Sequence, residues 1–396
     1  MAPRPRFRRL EGVNSTRVYL DHAASSPLLP QARAAMEPYL NGSFGNASSP
    51  YALAREARMA LDGARTSVAR LIGAHADEIA WTGGGTEADN WALLGVALAH
   101  FEEKGHVIIS AIEHHAVLEP AETLRELGFE VSLARPNAAG IVELDEIAAL
   151  LRPNTRLVSL MSANNEVGTM QPVAEVARLC RERGALFHVD ATQSAGKEEL
   201  DVDFARENGE EGGADLLTLS AHKVGGPKGV GALYIRRGTK MKPLLRGGAQ
   251  ERGRRAGTEN VAAIAGFGEA ARWARENLEI NAAHLRALQA RLETGLQELP
   301  GVEIVAQDAP RAPHITSFLA RGKRAESLAL NLDLRGFAVG TGSACASGAL
   351  EPSHVLAAMG YSRDDARSVL RVSLGTSNSE SDVDEFLDAV GKLLCK

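Results

Sequence analysis

The sequence predicts an α/β protein: a mostly parallel central sheet flanked by helices, with a smaller α+β domain beyond it. Three observations carry that expectation. Short apolar runs alternate with helical patterns through the first part of the chain. These runs are apolar on both faces, as strands covered by helices on each side must be. From about Val261 the pattern turns helical, rich in Ala, Leu, Arg and Glu, and shorter strand-like and helical runs follow it.

Taken in order, Glu78-Ile79-Ala80-Trp81-Thr82 reads as a strand, followed by Gly83-Gly84-Gly85-Thr86 and a helix from about Glu87. Val107–Ser110 leads through a loop into a helix reaching Leu124, and Leu157–Met161 and Ala185–Asp190 each run into a further loop. Leu216-Leu217-Thr218-Leu219 precedes Ser220-Ala221-His222-Lys223 and the turn-rich Gly225–Gly229. Gly231–Ile235 follows too soon for a crossover helix, so it is expected to be antiparallel to its predecessor. Glu207–Gly213 is polar and Gly-rich and reads as an exposed loop. Val261–Leu299 reads as a long helix or a helix pair, and Gly301–Ala306 and His314–Leu319 as strands of the second domain.

Composition narrows the function classes. The 396 residues are 44% hydrophobic and 24% charged, ordinary for a globular protein with a large core. A formal net charge of -6 argues against direct nucleic-acid binding, and the cluster Arg252, Arg254, Arg255 is too small to reverse it. Cys180, Cys345 and Cys395 are widely spaced, with no CxxC pair, so a reducing, cytoplasmic setting is expected. No apolar run approaches the ~18 residues of a membrane span. Met1–Leu10 is rich in Pro and Arg, lacks the apolar core of a secretory signal, and reads as a frayed tail.

In open parallel sheets, ligands bind at the carboxyl ends of the strands. Lys223, Asp190, Asn164, Asn165 and His114 all fall at or just after such ends. Lys223 is either a loop lysine paired with a carboxylate or a partly desolvated amine. The second would form a Schiff base with a carbonyl, most often pyridoxal phosphate (PLP). Gly83-Gly84-Gly85-Thr86 is a tight turn with a helix cap, or a cup of N–H groups for a single phosphate. It lacks the spacing of a dinucleotide fingerprint and the Lys-Ser/Thr of a Walker loop. Asp190 is a capping residue or the carboxylate partner of a pyridinium nitrogen, with Gln193 near the ring's phenolic oxygen. Of His114 and His115, one is structural or lies flat on the ring. Ser220 and His222 can donate to the phosphate.

Cys345 sits in Gly342-Ser343-Ala344-Cys345-Ala346-Ser347-Gly348, where nearly every neighbour is small. That is unlike the large apolar surroundings of a structural cysteine and favours a nucleophile. Cys180, in a helical pattern, reads as core. Arg371 interrupts an apolar strand-like run, so it either pairs with a buried carboxylate or grips a substrate carboxylate.

These stretches, with Tyr19-Leu20-Asp21, Glu113-His114-His115-Ala116-Val117, Asn164-Asn165-Glu166-Val167-Gly168, His188-Val189-Asp190-Ala191-Thr192-Gln193, Arg255-Ala256-Gly257-Thr258 and Arg371-Val372-Ser373-Leu374-Gly375, span residues 19–375. In this order the chain resembles the PLP-dependent cysteine desulfurases typified by the NifS and IscS proteins, fold-type I enzymes of aminotransferase class V. The resemblance implies that Lys223 holds PLP and moves the Cα proton, with His114 stacked on the ring. Asp190 pairs with the pyridine nitrogen and Gln193 with the ring hydroxyl. Gly85, Thr86, Ser220 and His222 hold the phosphate, and Thr258 reaches the phosphate of a neighbouring subunit, so a homodimer is implied. Asn165 and Arg371 bind the carboxylate of L-cysteine, and Cys345 takes its sulfur as a persulfide, leaving alanine. The sulfur then goes to an acceptor protein, an iron–sulfur scaffold or a tRNA-thiolation protein. The expected division is 1–27, a tail and a segment joining the small domain; 28–265, a large PLP-binding domain; and 266–396, a small domain carrying the cysteine loop.

Ala47, Tyr51 and Ala54 depart from the family's usual Pro, His and Gly, which puts contacts near the site entrance in question. Rival readings are a selenocysteine lyase, a class V aminotransferase and a catalytically silent scaffold. The thiol at Cys345 argues against the first two, and the joint presence of Lys223, Asp190, His114 and Cys345 against the third.

Overall fold

The computed structural model describes residues 17–203, 213–341 and 352–395. Cys345 and residues 207–212 of the expected Gly-rich loop lie outside the described residues.

A seven-stranded sheet runs in the order Ile79–Thr82, Gly231–Ile235, Leu216–Ser220, Leu186–Asp190, Thr155–Ser159, His106–Ser110, Glu130–Ala134. Gly231–Ile235 is antiparallel to both its neighbours, as its short connection requires, and the other pairings are parallel. Successive side chains of each strand enter opposite cores. Leu217, Leu219, Ala232 and Tyr234 pack on one face with helices Ala52–Leu71, Val173–Arg183 and Val261–Glu276. Leu216, Leu233 and Ile235 pack on the other with Gly85–Ala99 and His115–Glu126. This double cover is why the strands read as unbroken apolar runs. The edge strand Glu130–Ala134 is half exposed, so its sequence carries no such run, and sequence reading passes over it.

The helical stretch is a pair, Val261–Glu276 and Leu278–Gln297, divided at Asn277. The first helix sends Ile264, Phe267 and Ala271 into the large core. The second sends Leu285, Leu288, Leu292 and Leu296 into the core of a second sheet. The expected division at 265 therefore falls inside a helix, and the change of core comes at Asn277. The second sheet runs Val18–Leu20, Phe337–Thr341, Val369–Ser373, Ile315–Ala320, Val302–Ile304. Val18–Leu20 joins it parallel to Phe337–Thr341, which ties the N-terminal segment to the small sheet. No described helix is long and apolar enough to cross a membrane.

Candidate active site

Parallel strands deliver their carboxyl ends to one edge, and the expected residues collect there. Lys223 closes a short 3-10 turn, Ala221–Lys223, directly after strand Leu216–Ser220. Its Nζ donates to the carbonyls of Ala23 and Ala24, the latter at 2.8 Å. Asp190 ends its strand, is 3% exposed, and accepts the Thr192 N–H on Oδ1 at 2.9 Å. His114 caps helix His115–Glu126 by accepting the Ala116 N–H on Nδ1 at 3.1 Å. Burial lowers the His114 imidazole below its ordinary pKa; the Asp190 carboxylate opposes this and the Lys223 ammonium adds to it. All three residues stand at or just after the carboxyl ends of strands of the large sheet.

A cavity of about 560 Å³ opens beside the Lys223 turn, lined by Ala24, Gly83–Glu87, Ser220, His222 and Lys228. Gly84 adopts φ 153°, ψ -180°, a conformation essentially reserved for glycine, and the helix Gly85–Ala99 starts at once after it. The helix's first N–H groups and its dipole thus face the cavity. His222 lies 3.3 Å from the Ser25 hydroxyl, and burial, aided by Lys223 and Lys228, lowers it to about 4. It is a neutral donor at neutral pH. Thr258 is exposed on the surface.

This donor set fits PLP: a glycine-lined N–H cup for one phosphate, with a buried carboxylate and an amine at the ends of two neighbouring strands. Gln193 is more constrained than expected. Its amide donates to the Ala23 carbonyl at 3.0 Å, and its oxygen faces His314 Nε2 at 3.2 Å. Arg371 donates from Nη2 to Asp21 Oδ1 and from Nη1 to the Asn165 carbonyl, each at 2.8 Å. Its buried Nε has no partner among the described residues. Of the two sequence readings for Arg371, pairing with a carboxylate is therefore realised, with the Nε N–H left spare. Among the departures, Ala47 and Ala54 are buried and Tyr51 is exposed. Cys180 is buried core, its thiol pushed up to about 12.

Sequence reading missed the groups behind Lys223. Lys197 is buried, its Nζ donates to the Lys223 carbonyl at 3.0 Å, and burial followed by Lys223 lowers it to about 7. His22 and His314 are also buried there, held low by burial and by Lys197. A lone lysine after a glycine carries no sequence signature, so nothing in the chain could have announced it.

Glu166, beside Asn165, accepts the Ser353 hydroxyl at 2.5 Å. Burial, partly offset by Ser353 and Arg371, raises it from 4.5 to about 7. The folded chain therefore holds this proton more tightly than the unfolded chain. The associated stability is complete below about pH 4.5 and is lost as pH rises through about 7. Glu166→Gln is expected to flatten this decline, removing roughly 2–3 kcal/mol of pH dependence in chemical denaturation across that window. An unchanged slope would show that Glu166 does not hold the proton.

The aminotransferase class-V family model matches residues 18–386. The cysteine desulfurase IscS of Dictyoglomus turgidum is 42% identical over 380 residues, covering 96% of this chain and 95% of that protein. The IscS of Methanosarcina thermophila is 42% identical over 379 residues, covering 96% and 92%. Among solved structures, a NifS-like protein aligns with a TM-score of 0.88 at 36% identity, over 96% of this chain and 99% of that one. SspA in complex with cysteine aligns with a TM-score of 0.80 at 34% identity, over 90% and 98%. With matches of this extent, the chain belongs to the aminotransferase class-V family, among its PLP-dependent cysteine desulfurases.

Proposed function

We propose that this enzyme takes sulfur from free L-cysteine onto Cys345, releases L-alanine, and passes the sulfur to an acceptor protein. The acceptor is an iron–sulfur scaffold or a tRNA-thiolation protein, and the setting is the cytoplasm. The observation that supports the site assignment is the placement of Lys223, Asp190 and His114 at the carboxyl ends of strands of one sheet, with the glycine-lined cavity beside the Lys223 turn.

When bound, PLP supplies an electrophilic aldehyde and an electron-withdrawing ring. In this reading Lys223 holds it and carries the substrate Cα proton. Asp190 would hold the ring nitrogen in its protonated form, and His114 and Gln193 would help hold the ring. Gly85, Thr86, Ser220 and His222 bind the phosphate. The spare N–H of Arg371, with Asn165, orients the substrate carboxylate. Cys345 attacks the substrate sulfur as a thiolate: an S–S bond forms, the substrate Cβ–S bond breaks, and Cβ gains a proton as alanine leaves. A homodimer is supported by exposed Leu40, Phe44, Tyr51 and Met59 and by the outward position of Thr258.

The test incubates the purified protein with L-cysteine, then measures alanine and the mass added at Cys345. Equal amounts of alanine and bound sulfur are expected in a first turnover. Cys345→Ser should retain bound PLP but form neither product. Sulfide release at the unsubstituted rate by that variant would refute the mechanism, and a keto acid in place of alanine would point to transamination.

A further inference from the structure

We infer that Glu87 and Arg255 form a charge-matched positioning pair for the phosphate end of the site, in which Glu87 shapes the glycine cup and Arg255 cancels its charge. The inference rests on assigning the Gly83–Thr86 cup to the PLP phosphate.

Glu87 lies in the first turn of helix Gly85–Ala99 and lines the same cavity. Its Oε2 turns back to accept the Gly83 N–H at 2.7 Å. A Cβ on Gly83 would stand 2.8 Å from that oxygen, so a larger residue there would push the Glu87 carboxylate aside. The contact fixes the loop, but it also sets a carboxylate where a phosphate must settle. A bare negative charge at that place would repel the ligand.

Arg255 removes the conflict. Its Nε meets Glu87 Oε1 at 2.8 Å and its Nη2 meets Oε2 at 3.0 Å, a bidentate grip. The two side chains are only 22% and 20% exposed, so solvent screens the pair weakly.

Arg255 is delivered by a rigid arm. Glu251 accepts two hydrogen bonds from Arg65, at 2.6 and 2.8 Å, and the Trp81 N–H at 2.9 Å. Arg254 donates to the Asp77 and Ile79 carbonyls at 3.0 and 2.9 Å. Glu251 and Arg252 stand at φ 49° and 61°, strained values that these anchors hold in place. The arm leads on to Thr258, so the pair ties the cup to the segment assigned to the neighbouring subunit.

The experiment strips PLP from the full-length protein and titrates it back, reading affinity from visible absorbance, with inorganic phosphate as competitor. Arg255→Met leaves Glu87 uncompensated and is expected to weaken PLP binding by about tenfold or more. Glu87→Gln keeps an oxygen for the Gly83 N–H without the charge, and its affinity should stay within about threefold of the parent. The double variant E87Q/R255M should return to within about threefold of E87Q. Phosphate competition should follow the same order. If R255M does not fold, Arg255→Gln removes the same charge while keeping hydrogen bonding, and is read identically. Equal losses in E87Q and R255M, or a double variant no tighter than R255M, would overturn the inference in favour of a purely structural bridge. A parent protein that binds no PLP would instead overturn the functional reading beneath it.

Discussion

Lys223→Ala is expected to lower alanine formation from L-cysteine by roughly 10³–10⁴-fold, with the far-UV circular dichroism unchanged. The expectation follows from where the amine is held. The strand ends at Ser220, and one 3-10 turn carries the lysine over the sheet edge. The Ala23 and Ala24 carbonyls then aim Nζ from a separate segment, while Lys197 and Ser26 bond the Lys223 backbone carbonyl at 3.0 and 3.3 Å. So many constraints on one side chain suit a reacting group that must return to one place in each turnover. Lys223→Arg keeps the positive charge but cannot lose its proton near neutrality, so it should be as inactive as the alanine variant. A small primary amine such as methylamine should restore part of the alanine variant's activity by replacing the missing group. Retention of more than about a tenth of parent activity by both variants would remove Lys223 from the chemistry.

The large sheet was legible because its physics is local. A strand covered on both faces must be apolar throughout, so six of its strands appear as runs, and the short loop after Lys223 dictates the antiparallel direction of the last. The site was legible for a related reason. Parallel strands put their carboxyl ends on one edge, so polar residues at those ends meet without any knowledge of tertiary contacts. What escaped depends on distance along the chain. Arg371 finds Asp21 across 350 positions, and Arg255 finds Glu87 across 168. Neither member of either pair carries a local mark of its partner. Lys197 escaped because burial, which lowers its pKa, is a property of the fold around it. Glu130–Ala134 escaped because an edge strand need satisfy only one face.

Asp190→Asn is expected to lower kcat by roughly 10²–10⁴-fold, and Asp190→Ala at least as much. Its neighbours His188, Asp89 and Glu113 supply no cation. Two residues back on the same strand face, His188 is fully buried and held near 3, bonded to Ser159 at 2.8 Å and Thr218 at 3.1 Å, so it is neutral. Asp89 and Glu113 are pushed well above the usual carboxylate range, first by burial and then by Asp190. The Thr192 N–H occupies Oδ1. In the proposed reading, the Asp190 carboxylate would pair with a protonated pyridine nitrogen that arrives with the ligand. Asparagine separates charge from geometry, because it can keep the Thr192 contact while giving up the negative charge. It should also let Asp89 and Glu113 release their protons at lower pH, since the repulsion from position 190 is gone. Full activity in the asparagine variant would assign Asp190 to capping the Thr192 turn and leave the ring nitrogen without its proposed partner.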